Sequence, residues 1–335
     1  MSSDLRTILK LSATAVEKPW GGRKLERFLS ADQLPEGPLG EVWLVSTVGA
    51  QESHSMILNG PHAGKSLSEL IEEDRSQVLG RSVGGSSAND YPLLFKLIDA
   101  DSDLSVQVHP GDSLAQEMGL GETGKEETWL ILEAEPGSTV RAGFADGWDL
   151  DRLLATIRAG SDVESALQKF EVKRGDLIHI PPGTVHSIGA GILLAEIQQP
   201  SDVTFRIYDG ETLGSDGLPR ELHLDQASRV AQIDPPLLKV AATLESDRWQ
   251  SRISVNPYQI EELRGRWSGD LPLPEKSSCI FCALEGQARL SLDGEEIDVI
   301  ASGEARLVLP GEAKLSMDTL KEGWFAIFSP LNRPR

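Results

Sequence analysis

At 335 residues, with 39% hydrophobic side chains, the chain is long enough for about two domains with sizeable cores. A formal net charge of −20 argues against nucleic acid and anionic membrane as partners, because both demand clustered cations. No apolar run approaches the roughly 18–20 residues that span a bilayer, but a small anionic ligand is still allowed, since two or three local Lys or Arg side chains suffice. From the N-terminus, MSSDLRTILKLSATAVEKPW lacks a basic segment followed by an apolar one, so no signal peptide is expected and the cytoplasm is the default compartment. Strand-like runs then alternate with turn signals: GEVWLVSTV, YPLLFKLIDA, LSVQVH, ETWLILEAE, GDLIHIPP, GILLAEIQQ and VTFRIYD. Between the first two, SLSELIEEDRSQVLG reads as one helix. Ser66 and Glu69 form a capping box, Leu67, Leu70, Ile71 and Val78 an apolar stripe, and Gly80 a stop. Residues 81–92 read as a polar small-residue loop. WDLDRLLATIRAGSDVESALQKF reads as a second helical block broken at AGSD, with a capping box at Ser161 and Glu164. After IDPPLL the pattern changes to short strands only: CIFCALEG, QARLSLDG, EEIDVIASG, EARLVLPG and WFAIFSP, at the spacing of a β-sandwich or small barrel. The boundary is expected near residue 235, dividing a β-barrel with helical insertions (1–235) from a smaller β domain (236–335). Cys279 and Cys282 lie in one such strand, where residues three apart point to opposite faces, so two buried thiols are expected rather than a redox or zinc pair.

Three strand-edge segments deliver metal-ligand types. Gln107 and His109 are two apart on a strand and share a face; Glu127 opens another strand; His186 follows the Pro-Pro-Gly turn of GDLIHIPPGTVH. Two imidazoles, one carboxylate and one amide oxygen suit zinc, with manganese or iron open, and leave a coordination position free for water or substrate. Singly, each has a bland reading: a loop histidine before proline, a solvated glutamate. His54 and His62 keep that reading, His179 reads as a satisfied, partly buried imidazole, and His223 is undecided.

A second group is cationic. Lys96 and Arg206 sit inside apolar strands, where an unpaired charge is costly, and Lys125 immediately precedes Glu126-Glu127. Ser105 shares the face of Gln107. Arg, Lys and Ser together form a natural phosphate cradle.

These residues resemble a known family. GDLIHIPPGTVH is similar to the second cupin motif, and QVH with a later glutamate to the first, with glutamine in place of its first histidine. The 17 residues between His109 and Glu127 exceed the spacing of a simple cupin. KPWGGRKL, LGEVWLVS, LNGPHAGKSLSELI, YPLLFKLIDADSDLSVQVHPGD, GKEETWLILEAEPG, the stretch from IPPGTVH to FRIYD, and RELHLDQA extend the likeness to about residue 230, closest to the shorter bacterial type I mannose-6-phosphate isomerases. The resemblance implies two cupin-type (jelly-roll) β-barrels, with one zinc per chain held by Gln107, His109, Glu127 and His186. It implies catalytic roles for Arg206, Lys125 and Glu196, and a pocket lined by Ser105, Lys96, Trp20 and Glu41. LVLPGEAKL looks like a second cupin turn with Lys314 where a ligand histidine would be, so the C-terminal β domain is expected to be metal-free. The longer members have histidine where this chain has Gly124, which leaves the proton carrier open between Glu196 and a water on the metal. The implied partner is a phosphosugar, the implied assembly a monomer or homodimer, and the implied reaction mannose 6-phosphate to fructose 6-phosphate through an enediolate. A redox cupin such as an oxygenase would favour His-rich ligation. A catalytically dead sugar-phosphate binder would have lost one of Gln107, His109, Glu127, His186 or Arg206.

Overall fold

The computed structural model describes residues 7–80, 90–160, 163–233, 238–241 and 246–331. Most of the 81–92 loop, Ser161 of the second capping box, and the prolines of the 233–238 junction lie outside them. The described chain is mainly β, and it divides into two compact units. One comprises Met1–Thr14, Trp43–Phe95 and Thr243–Arg335, the other Ala15–Val42 and Lys96–Ala242.

The second unit holds a five-stranded sheet and most of a seven-stranded one. Five strands run in the order Phe205–Tyr208, Val106–Val108, His186–Ile188, Thr139–Phe144, Leu167–Glu171. A seven-stranded sheet takes the order Leu238–Val240, Leu177–Ile180, Glu127–Ala134, Ile192–Gln198, Leu94–Ala100, Thr14–Gly22, Leu39–Val45. Trp129, Ile131, Ile178, Ile180 and Leu194 of the larger sheet meet Val140, Ala142 and Ile188 of the smaller in one buried cluster, so the sheets are stacked layers. The outer face of the smaller sheet is also apolar. Val106, Val108, Phe205 and Ile207 pack with Leu153 and Leu154 of the helix Leu150–Arg158 and with Ala227 and Val230 of the helix Leu224–Val230. Alternation along those short strands therefore sends Gln107 and Arg206 to the opposite, interlayer side.

The first unit carries an eight-stranded sheet with the path Ile8–Lys10, Glu304–Val308, Cys279–Leu292, Leu315–Pro330, Tyr258–Gly265, Ser246–Ser254. Its core includes Cys279, Phe281, Ala283, Leu290, Met317 and Phe325, with the Phe281 and Phe325 rings stacked 6.3 Å apart. Cys282 is equally buried but falls outside that cluster, and neither thiol is joined in a disulfide, as their spacing predicts.

Three sequence expectations need correction. The 66–80 segment is two helices, Leu67–Glu73 and Arg75–Leu79, because Asp74 leaves the helical region and caps the second by accepting from the Gln77 amide. The expected Ser66–Glu69 box and the Gly80 stop, at φ +80°, are both present. Among the described residues of the second helical block only Leu150–Arg158 is α-helix. Leu167–Glu171 is instead an edge strand, its Phe170 paired with Val140. Finally, CIFCALEG and QARLSLDG fuse into one 14-residue strand, which turns past Gly286 through successive register shifts rather than ending there.

Candidate active site

Cross-strand register assembles the site. Gln107 lies opposite His186 on one side and Arg206 on the other, so three residues far apart in sequence form a row on the interlayer face of the five-stranded sheet. In the facing sheet Glu127 opposes Gln198 and Trp129 opposes Glu196, which puts both carboxylates on the face shared with the interlayer residue Trp129. His109 follows its strand directly. Its position is fixed because the Gly183 amide of the Pro-Pro-Gly turn donates to the His109 carbonyl (2.9 Å). On the other side the Lys125 amide donates to the Pro110 carbonyl (2.9 Å). Gly124 is required there, since a Cβ would come within 2.3 Å of the Pro110 oxygen. No side chain can stand at position 124 unless this backbone contact opens.

His109, Glu127 and His186 are all buried, and one ligand atom of each lies within 4.8 Å of the others. Each histidine gives its Nδ1–H to a backbone carbonyl, His109 to Val203 (2.8 Å) and His186 to Thr184 (2.8 Å). That selects the tautomer whose Nε2 lone pair faces the cluster. Burial pushes His186 down to about 4, and drives His109 well below the usual imidazole range with help from the charge of Lys125, so both rings are neutral. The Glu127 contacts to His109 (3.6 Å) and His186 (3.3 Å) are therefore not ion pairs. Burial also raises the Glu127 carboxyl to about 7 despite Lys125 Nζ at 3.1 Å. His109 Nε2 and both Glu127 oxygens are buried without a properly aligned hydrogen bond. Three buried lone-pair donors with only the Lys125 ammonium beside them are costly unless a cation sits between them, and this donor set fits a borderline divalent ion. Gln107 turns its Nε2 towards His186 Nε2 (3.2 Å) and its Oε1 towards the Ser105 hydroxyl (3.3 Å). A half-turn of the amide exchanges the two ends and offers the oxygen to the cluster. Among the described residues no other group of three His, Cys, Asp or Glu is placed to hold a metal.

Beside the cluster is a cavity of about 260 Å³, lined by Trp20, Glu41, Lys96, Ser105, Gln107, Lys125, Glu196 and Arg206 among others. All the pocket residues expected from sequence thus come together. Lys96 is buried with Nζ 2.7 Å from Glu196 and 3.5 Å from Glu41, and its charge is held by those carboxylates against the burial penalty. Glu196 also accepts from Trp129 Nε1 (2.9 Å). Burial alone would raise its carboxyl, but Lys96 and Lys125 outweigh it and the net shift is downward, so Glu196 is ionised. Lys18, Asp202, Thr204 and Arg220 line the cavity too and carry no signal in the sequence reading; only the cationic character of Arg220 could have suggested it. His179 lies outside the site, bonded to Thr128 Oγ1 through Nδ1 (3.0 Å), and the His223 ring accepts from the Arg206 amide (3.1 Å).

The geometry agrees with comparison to known proteins. Residues 8–127 match the family described as phosphomannose isomerase type I, catalytic domain. The chain is 33% identical over 307 residues to a mannose-6-phosphate isomerase of Streptococcus mutans, covering 91% of this chain and 93% of that one. The chain belongs to the type I phosphomannose isomerase family. A second relative, the mannose-6-phosphate isomerase ManA of Bacillus subtilis, is 33% identical over 306 residues, covering 89% of this chain and 92% of that one. Among solved structures, a Bacillus subtilis mannose 6-phosphate isomerase superposes with a TM-score of 0.80 at 28% identity, covering 97% of this chain and 99% of that one. The likeness spans the mainly β fold of this family. No helix among the described residues is long and apolar enough to cross a membrane.

Proposed function

We propose that the chain interconverts mannose 6-phosphate and fructose 6-phosphate with one zinc ion, on a fold of two cupin-type jelly rolls divided near residue 235, the C-terminal one without metal. The observation that carries this reading is the buried His109–Glu127–His186 cluster, with its unmatched lone pairs, opening beside a cationic cavity. Gln107, His109, Glu127 and His186 are the proposed ligands, and a zinc bound by them would supply Lewis-acid stabilisation for charge developing on the sugar's O1 and O2.

The remaining work falls to the chain. Isomerisation moves a proton between C2 and C1 of the open-chain sugar. Glu196 is the proposed carrier: it is ionised, faces the cavity, and is held by Trp129 on one oxygen and Lys96 on the other. Lys96 remains charged throughout and steadies Glu196 in its anionic form. Lys125, beside Glu127, adds positive charge where the enediolate forms, while Arg206, in the row beside Gln107, supplies positive charge to the substrate's phosphate. Trp20 and Glu41 complete the wall around the sugar, and the hydroxyl of Ser105 fixes the Gln107 amide. A coupled assay of purified zinc-loaded protein tests the reading: fructose 6-phosphate is formed from mannose 6-phosphate, and chelation abolishes the activity until zinc is restored. Absence of turnover in the zinc-loaded protein sinks it.

A further inference from the structure

Arg206 and Arg220 both line the cavity, although a hairpin excursion of Gly210–Pro219 separates their neighbourhoods in sequence. One carboxylate joins them. Asp209 accepts from Arg220 Nε (2.6 Å) and Arg220 Nη2 (2.5 Å) in a two-pronged fork, and its Oδ2 stands 3.7 Å from Arg206 Nε. The Asp209 side chain is only 7% exposed, against 15% for Arg220 and 18% for Arg206. Arg206 is anchored separately, its Nη1 donating to the Glu221 carbonyl (2.8 Å). The fork uses two of Arg220's five N–H bonds. The rest of that guanidinium is rigidly oriented, and planar N–H groups so oriented are what a phosphate's oxygens require.

Charge arithmetic supports the same role. Two guanidiniums around one carboxylate leave a local charge of +1, and burial together with the neighbouring charge of Arg220 makes Arg206 the less comfortable cation. Without Asp209 the pair would repel and splay. With it, the pair forms a fixed cationic wall at one side of a cavity whose metal-ligand side is occupied by Lys125, against Glu127, and Ser105, against Gln107. The 209–220 segment is otherwise polar and glycine-rich, which would not favour a defined position for Arg220; the Asp209 fork, with the Leu213–Pro219 bridge above it, closes the neck of the hairpin.

The geometry points to Asp209 as a positioning residue that holds Arg206 and Arg220 side by side as the binding wall for the substrate's phosphate dianion. This deepens the isomerase reading and rests on it for the identity of the substrate, though not for the phosphate itself. The test is titration of the zinc-loaded full chain with inorganic phosphate by calorimetry, alongside steady-state kinetics with mannose 6-phosphate. Asp209→Asn, which keeps the shape and removes the charge, is expected to weaken phosphate binding by roughly tenfold or more, the scale of a lost charge-assisted fork. KM for mannose 6-phosphate rises by a similar factor, while kcat changes less than about threefold and zinc content stays the same. Arg220→Gln has the same effect. The double variant loses less phosphate affinity than the sum of the two single losses, because Asp209 acts in part through Arg220. A purely structural role would give additive losses instead. Asp209→Glu, which keeps the charge and displaces the fork, provides the second arm should the asparagine variant fail to fold, with a phosphate affinity roughly threefold or more below that of the unaltered chain. Phosphate affinity unchanged in a folded Asp209 variant, additive losses in the double variant, or no phosphate binding by the unaltered chain would each overturn the proposal. Phosphate binding that follows the expected pattern without turnover of mannose 6-phosphate would overturn the isomerase reading alone.

Discussion

Two turns of similar sequence, IPPGTVH and VLPGEAK, meet opposite fates in the two units. The first delivers His186, fully buried, into a group of ligand atoms; the second delivers Lys314, whose side chain is 75% exposed and lies 3.3 Å from the also exposed Asp270. The buried charges differ in the same sense. In the eight-stranded sheet Glu262 has an arginine for each oxygen, Arg252 at 2.8 Å and Arg264, and Arg264 in turn lies over the Trp324 ring (3.9 Å). In the stacked-sheet unit Glu127 faces two neutral imidazoles and one lysine, and its oxygens accept no aligned hydrogen bond. A closed ion cluster holds a sheet together. An open one is a place for something else to bind.

That contrast can be broken by substitution, most drastically at its centre. His186→Ala should release the metal and lower kcat by about a thousandfold or more, the scale of several kcal/mol of lost transition-state stabilisation, while circular dichroism shows the sheets intact. Arg206→Ala should keep its zinc, measured by atomic absorption, yet lose roughly a hundredfold in kcat/KM. Glu262→Gln should do the reverse. Leaving the buried Arg252 and the half-buried Arg264 short of a carboxylate should cost about 3–5 kcal/mol in denaturant unfolding, with kcat/KM of the folded protein unchanged. A change in turnover there would mean that the two units are not functionally separate. A gentler probe is pH. In the metal-free protein Glu127 titrates at about 7 and His186 at about 4. Below about pH 7 the ion must displace one proton, from Glu127, so zinc affinity falls about tenfold per pH unit, and it levels off above 7. Competition with a chromophoric chelator reads this slope; a slope near two between pH 5 and 7 would mean that a histidine is also protonated. At the small end, Lys314→Ala should leave both zinc content and turnover unaltered.

Much of the site was legible in the sequence because strand parity and register are local rules. Gln107 and His109 share a face by spacing alone, and a histidine after Pro-Pro-Gly is delivered at a strand start. Other features were hidden for identifiable reasons. Thr139–Phe144 carries Arg141 in the middle of an otherwise short apolar run, so it gave no clear strand signal, and Leu167–Glu171 looked helical until its pairing with that same strand decided otherwise. The long Cys279–Leu292 strand contains a glycine that reads as a turn, but the register shifts at Gly286 let the pairing continue through it. Asp209 and Arg220 bracket a glycine-rich, mostly polar stretch, the composition of an ordinary surface loop. Only the folded hairpin shows that its two ends meet at the cavity.

The bonds that tie the Gly183 amide to His109 and the Lys125 amide to Pro110 have a thermodynamic consequence. They are backbone contacts that use none of the ligand atoms, so the ligand-bearing segments reach their places when the chain folds. An incoming ion then meets a finished mould, and its affinity is not diminished by the entropy of gathering loose segments. Such a mould gives away flexibility in return: the ion cannot leave by the gradual loosening of one loop. Exchange should be slow, and the metal-free protein should still unfold as a cooperative body, with added zinc raising its midpoint only as mass action demands.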